Sequence, residues 1–245
     1  MSFIASNQTR LITGVFPLSA YATQVDTAAP RATIDRTSLV DDAFVFIHGR
    51  KSATLSVNTM VDGDTTAGGY WDVITGLAED GTEFPVSVAP AGFAAGNPVR
   101  LASAYEINAA PTSPLDGGVD MPLTYSVNGE MQWGQSLIAH AAVTATGNGS
   151  AVDNGAATSN GGVAHLHVTA VAGTGGPTCD VIIEHSVNGS SSWNTLATFT
   201  QVTTATSAQR VTVADGTSVR RYLRASYTIA GSGPSYTIAV AFARN

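Results

Sequence analysis

Most apolar runs in this chain have the two-residue period of β-strands and are separated by Gly, Pro, Asn and Asp. Phe44, Phe46 and His48 fall on one face of the first strong run, Val45 and Ile47 on the other. Both faces are apolar, which predicts a strand covered on both sides. A His48-Gly49 turn leads into a second run. There Thr54, Ser56 and Asn58 alternate with Leu55, Val57 and Thr59, so one face is polar, as if it lined water. Further strands are predicted over 84–88, 100–108 and 121–133. One segment has the other period: Tyr70, Val73, Ile74 and Leu77 make a single apolar stripe and predict a helix over 65–78. Asp64 or Thr65 caps it, Asp80-Gly81 ends it, and such a helix must pack on a sheet face.

Residues 1–40 are poorly patterned. Residues 11–16 read as a short strand, but 20–38 are Ala, Thr and Asp around Pro30. A structureless stretch of that length is uncommon inside a compact domain. It reads as an arm, either solvent-exposed or ordered against a neighbouring subunit. Beyond Leu137 the composition changes, and residues 147–162 are rich in Gly, Asn, Ser and Ala. Short strands then recur over 164–171, 181–187, 195–200, 210–214, 222–229 and 236–243. Asn128-Gly129 and Asn188-Gly189 each signal a two-residue hairpin turn. Regular strands with turn signals and no helix read as a β-sandwich. The expectation is a mainly β protein with a first domain over 1–137, including the arm 1–40, and a second sandwich over 138–245.

Composition narrows the function. Of the 245 residues only 12% are charged, against about 25% in ordinary domains. A small, neutral surface suits a protein packed against copies of itself. The net charge of −7 is uneven: six basic residues face fourteen acids through His140, and five arginines face four acids afterwards. No basic stripe of the kind that neutralises phosphates is present, which disfavours tight nucleic-acid binding. Cys179 is alone, so no intrachain disulfide forms. The N-terminus lacks a basic region followed by an apolar one, so no signal peptide is expected, and no apolar run is long enough to span a membrane.

The chemical motifs are weak. His165-x-His167 puts two imidazoles on one strand face, but no further metal ligand is evident, and polar residues on an exposed strand explain them better. Asp62-Gly63-Asp64 lacks the later Gly and Glu of a calcium loop and reads as a helix cap. Asp72, Glu79, Asp80 and Glu83 read as solvated acids around a helix end. No nucleophile elbow, phosphate loop or dinucleotide glycine pattern occurs. No catalytic residue, metal site or cofactor is therefore assigned. Residues 186–193 are similar to the Asp-box hairpin of sialidases, a folding element, with Asn188 where Asp is preferred. Arg220, Arg221 and Arg224 with Trp193, Tyr222, Tyr227 and Tyr236 suggest a sugar- or anion-binding face. Alternation between core and solvent explains most of that pattern. Trp193, Tyr222 and Arg224 remain the candidates for weak surface or glycan contact.

From about Ala32 to Leu137 the order of elements resembles the major tail tube proteins of long-tailed, non-contractile bacteriophages. The resemblance is carried by a Phe/Ile strand, the Gly-Arg-Lys-Ser turn, Thr-Leu-Ser-Val, and Asp-Gly-Asp before Gly-Tyr-Trp-Asp-Val-Ile-Thr-Gly-Leu. Pro-Val-Ser-Val-Ala-Pro-Ala-Gly and Ser-Val-Asn-Gly-Glu-Met-Gln-Trp-Gly follow. It implies a virion protein, assembled in the host cytoplasm, whose subunits form stacked, usually hexameric rings. Double-stranded DNA passes through the tube without specific binding. Partners are further copies, the tape measure protein and the tail terminator or baseplate proteins, with no membrane insertion. The second domain corresponds to an immunoglobulin-like domain projecting from the tube. Thr54, Ser56, Asn58, Asp62, Asp64 and Glu106 are the candidate channel-lining residues, and Asp41, Asp42, Glu83, Asp116 and Asp120 are further acids for that wall. The competing reading is a β-rich binding module whose second domain recognises glycan.

Overall fold

The computed structural model describes residues 6–61, 81–115 and 117–245. The strands are β1 (Arg10–Thr13), β2 (Ala22–Ala28), β3 (Arg31–Asp35), β4 (Phe46–Lys51), β5 (Thr54–Met60), β6 (Phe84–Ala89) and β7 (Pro98–Ala109). They continue with β8 (Asp120–Val143), β9 (Gly147–Asn148), β10 (Val152–Asp153), β11 (Gly162–Ser186), β12 (Asn194–Thr198), β13 (Ser207–Val213) and β14 (Tyr222–Arg244). The protein is mainly β, as expected. The helix predicted over 65–78 lies outside the described residues, as do Asp62, Asp64, Asp72, Glu79, Asp80 and Asp116.

Two compact units form, and they do not follow a single cut at Leu137. The first joins Met1–Ala20, Phe84–Leu101 and Gln132–Asn245; the second joins Tyr21–Glu83 and Ala102–Met131. The reason lies in the last strand. Residues 238–243 read Ile-Ala-Val-Ala-Phe-Ala, so large side chains point one way and methyl groups the other. Ile238, Val240 and Phe242 enter one core with Leu166, Val168, Val181, Ile183 and Leu223. Ala239, Ala241 and Ala243 enter a second core with Ile12, Phe93, Val99 and Leu101. Small residues on that face let a second layer, drawn from the early part of the chain, approach closely. A composition change at Leu137 could not reveal this.

In the first unit β11 and β14 pair antiparallel along most of their length. The strands expected over 164–171 and 181–187 are both parts of β11, and those over 222–229 and 236–243 are both parts of β14. Register shifts at Val168/Ala170, Ala172/Thr174 and Thr174/Thr178 mark where the pair is irregular. On either side of these shifts β11 takes different outer partners, β13 along 162–168 and β12 along 182–185. Side chains from both stretches meet in the larger core. Tyr236, fully buried, donates its hydroxyl to the Thr203 carbonyl at 2.9 Å. The early layer is β1 paired with β6, Ile12 opposite Ser87, and β6 is buried at every position. Gly134 is needed where β8 passes β14: a Cβ there would lie 2.3 Å from the Phe242 carbonyl oxygen.

In the second unit β5 lies between β2 and β8. Leu55, Val57, Thr59, Met121, Leu123 and Tyr125 are buried on one face. The 20–38 stretch expected to lack structure contains β2 and β3. Its strands are held by backbone pairing to β5 and β4, with few apolar side chains to betray them. The chain does not turn at His48-Gly49; β4 runs to Lys51, and the Ser52 amide closes the base on the Pro30 carbonyl at 3.0 Å. Asn128-Gly129 does not reverse the chain either. It lies inside β8, where Gly129 takes a left-handed φ of 85°, a conformation glycine adopts without strain. Asn188-Gly189 does occupy a turn, between β11 and β12.

Candidate assembly surface and polar clusters

The β3–β4 ribbon is a two-stranded sheet of its own. Ile34 pairs with Ile47, and Asp35 with Phe46, so apolar groups occur on both faces. The expected covering is missing among the described residues: Phe44 is 77% exposed and Phe46 55%, while Ile34 and Ile47 are also exposed. The Phe44 and Phe46 rings stack at 6.1 Å. The tip is locally ordered. Asp35 accepts from the Thr37 amide and hydroxyl at 2.8 and 2.6 Å, and Asp41 accepts from the Ser38 amide and hydroxyl at 2.6 and 2.8 Å. These bonds hold both carboxyls below the usual carboxylate range. At the base Lys51 pairs with Glu130. The ribbon is thus a locally ordered hairpin with exposed apolar side chains, the kind of surface that marks an interaction site.

Thr54, Ser56 and Asn58 occupy the exposed face of β5. Gln24, Asp26 and Ala28 stand opposite them on β2, and Pro122, Thr124 and Ser126 on β8. The wall therefore holds hydroxyls, amides and the Asp26 carboxylate, which accepts from the Gln24 amide at 2.6 Å, and no basic residue. Asp26 and Gln24 were missed in the sequence because β2 was not recognised as a strand. Glu106 is different. Both its carboxylate oxygens are shielded from solvent with no hydrogen-bond partner among the described residues, and burial pushes its pKa up to about 7. Glu83 accepts from Tyr105 at 3.2 Å and from Asn128 at 3.1 Å.

The candidates of the later segment do come together. The Arg224 guanidinium lies 4.3 Å from the Trp193 ring centre and donates to Glu184 at 2.8 Å. Tyr222, two residues along β14, packs on Gly189, where a Cβ would lie 2.7 Å from its ring. Arg221 holds Asp153 through two bonds of 2.7 Å. These bonds, with one from the Gly155 amide, hold the Asp153 carboxyl well below its ordinary range. Arg224 is engaged within the chain, so this group reads as a staple joining β11, β14 and the 186–193 hairpin. That hairpin is self-satisfied: Asn188 Oδ1 accepts from the Ser190 and Ser191 amides at 3.1 and 3.0 Å. Tyr236 is buried in the core, and Tyr227 packs against Gly147; neither joins this group.

His165 and His167 are not on an exposed strand. They are buried beneath Ser87. The Gly14 carbonyl can only accept, so His167 Nδ1 carries the proton of their 2.7 Å bond. His167 Nε2 then accepts from the Ser87 hydroxyl at 2.8 Å. Ser87 Oγ in turn accepts from His165 Nδ1 at 3.2 Å, leaving His165 Nε2 as a bare acceptor with no partner among the described residues. Burial disfavours the charged form of both imidazoles: His167 is pushed down to about 4 and His165 well below its ordinary value, with the neighbouring His167 and Arg210 acting in the same sense. A Ser–His contact sealed from solvent admits no substrate, so the cluster joins layers. No group of three or more metal-ligating side chains occurs among the described residues.

No family model matches the chain, and no curated protein matches it. Among solved structures, a chain of the virion of a native gene transfer agent particle is similar over 46% of this chain and 84% of its own, at 14% identity and a TM-score of 0.38. The SPP1 Dit protein, described as part of the hub adsorption apparatus of phages infecting Gram-positive bacteria, covers 97% of this chain and 99% of its own, at 15% identity and a TM-score of 0.40. A chain of the phage p2 baseplate in its activated conformation covers 95% and 97%, at 6% identity and a TM-score of 0.37. Likeness at this level identifies neither a family nor a function.

Proposed function

We propose that the protein is a structural, non-enzymatic component of a phage-type tail, acting in the virion by assembling with copies of itself. The observation that carries this reading is the β3–β4 ribbon, whose two apolar faces nothing in the chain covers among the described residues. A second copy supplies that cover. The low charge of the chain and the edge of β2 that is unpaired among the described residues are consistent with it. In the finer reading, rings of subunits, usually hexameric, stack into a tail tube. The polar face around Asp26, Thr54, Ser56 and Asn58 then lines a channel along which double-stranded DNA slides. A wall with a carboxylate and no base repels phosphate instead of holding it, within the roughly 8 Å reach of charge at physiological salt. Tape measure, terminator or baseplate proteins would cap such a stack.

Electron microscopy and light scattering of the full chain over a range of concentrations test the reading. Rings or tubes with a hole of at least about 20 Å, wide enough for B-form DNA, are expected. The F44S/F46S variant is expected to stay monomeric with an unchanged thermal transition. A wild type that remains monomeric at every concentration, or a variant that assembles as well as the wild type, overturns the proposal.

A further inference from the structure

A cleft of about 630 Å³ opens in the first unit between Pro98, Trp133, Gln135, Asn154, Phe242 and Arg244. Its size falls in the range of small-molecule sites. Trp133 is 54% exposed, and the Arg100 guanidinium lies 4.5 Å from its ring centre. One ring face is thus backed by a cation and the ring is stiffened, while about half of it remains open.

Beside the cleft Asp153 and Arg221 offset each other's charge. Both Asp153 oxygens accept from Arg221. The Arg244 Nη atoms donate to the backbone carbonyls of Ala156, Arg220 and Arg221. The unused capacity belongs to single polar atoms. Asn154 spends its Nδ2 protons on the Val152 and Arg221 carbonyls, and its Oδ1 accepts nothing among the described residues. Gln135 Oε1 and Arg244 Nε, both shielded from solvent, have no partner among the described residues. Native proteins seldom leave such atoms unpaired.

We infer that this cleft binds a neutral saccharide unit. An open indole face takes the C–H face of a pyranose, much as aromatic rings take other flat apolar groups. A hydroxyl group supplies the O–H that Asn154 Oδ1 lacks, and Gln135 lines the same wall. A neutral ligand needs no counter-charge here: Asp153 is offset by Arg221, and the Arg244 Nη atoms donate to backbone carbonyls. The site is separate from the Trp193–Arg224 staple and does not depend on the assembly reading.

The test titrates neutral malto-, cello- and chito-oligosaccharides into the full chain, read by tryptophan fluorescence and calorimetry. At least one series is expected to bind with a Kd of order 1 mM, in the weak range of the affinity scale. W133A is expected to weaken that binding tenfold or more and Q135A several-fold, with V187S, on an exposed hairpin outside the cleft, unchanged. If W133A does not fold, Q135A and saturation-transfer contacts from sugar to indole protons in the wild type decide the matter. The inference is overturned if no neutral oligosaccharide binds up to about 10 mM, a limit well above that weak range. Binding that survives both W133A and Q135A, or Trp133 becoming inaccessible in assembled protein, overturns it equally.

Discussion

Replacing Ser87 by Ala removes one hydroxyl and strands two imidazoles. His167 Nε2 loses its donor and His165 Nδ1 its acceptor, in a site where all three residues are at most 1% exposed. A buried polar atom left unpaired costs about 1–3 kcal/mol, so S87A is expected to lose about 2–5 kcal/mol. An S56A control on the exposed face of β5 should stay within about 0.5 kcal/mol. Urea denaturation at pH 7.5, followed by fluorescence and circular dichroism, measures both. The pH dependence supplies a second reading. His167 falls from its ordinary 6.5 to about 4 in the folded chain, and His165 and the half-buried His140 are also lowered. Between those values the unfolded chain binds more protons. Stability is therefore complete above about pH 6.5 and falls as the solution is acidified towards pH 4, by about 3 kcal/mol for His167 alone. Glu106 works in the opposite sense. Its carboxyl titrates near 7 when folded and near 4.5 when unfolded, so it favours the folded state as pH falls through that window. The acid limb is accordingly measured in an E106Q background. A loss below 0.5 kcal/mol in S87A, or a flat profile from pH 7 to 4.5 in that background, would refute the hydrogen-bond assignment.

Two further predictions concern packing. Cutting the chain after Leu137 leaves Ile12, Phe93, Val99 and Leu101 without Ala239, Ala241 and Ala243. Neither fragment is then expected to give a cooperative melting transition, although mixing them restores one, as read by differential scanning calorimetry. G134A drives a methyl group against the Phe242 carbonyl, at 2.3 Å, and is expected to cost about 1–3 kcal/mol as overpacking, lowering the urea midpoint without changing the slope.

Strand positions with an alternating pattern were legible: β5, β6 and most of β7 follow from period two alone. What could not be read were relations between distant segments. The methyl face of Ala239, Ala241 and Ala243 is visible in the sequence, but not that Ile12 and Phe93 cover it. His165 and His167 looked like surface residues because no local pattern announces Ser87 and the Gly14 carbonyl as their partners. β2 escaped notice because an edge strand of Thr, Gln and Asp is fixed by backbone bonds, which composition does not encode. Asp26 escaped with it. The Asn128-Gly129 pair misled for a related reason: a left-handed glycine can sit within a continuous strand as well as in a turn. The reading of Phe44 to Ile47 as doubly covered described a need that the described residues do not meet.

The Gly14–His167 bond spans 153 residues of sequence, and that span imposes an order on synthesis. A nascent chain emerging from the ribosome displays β1, the sticky ribbon and β6 long before β11 and β14 exist to receive the first and last of them. The unit containing β1 and β6 cannot close until residue 244 has been translated. Growing polypeptides on one message therefore carry an adhesive hairpin beside an unfinished partner domain. Folding of such long-range topologies is slow, so the interval in which chaperones must keep neighbouring chains apart is written into the strand order itself.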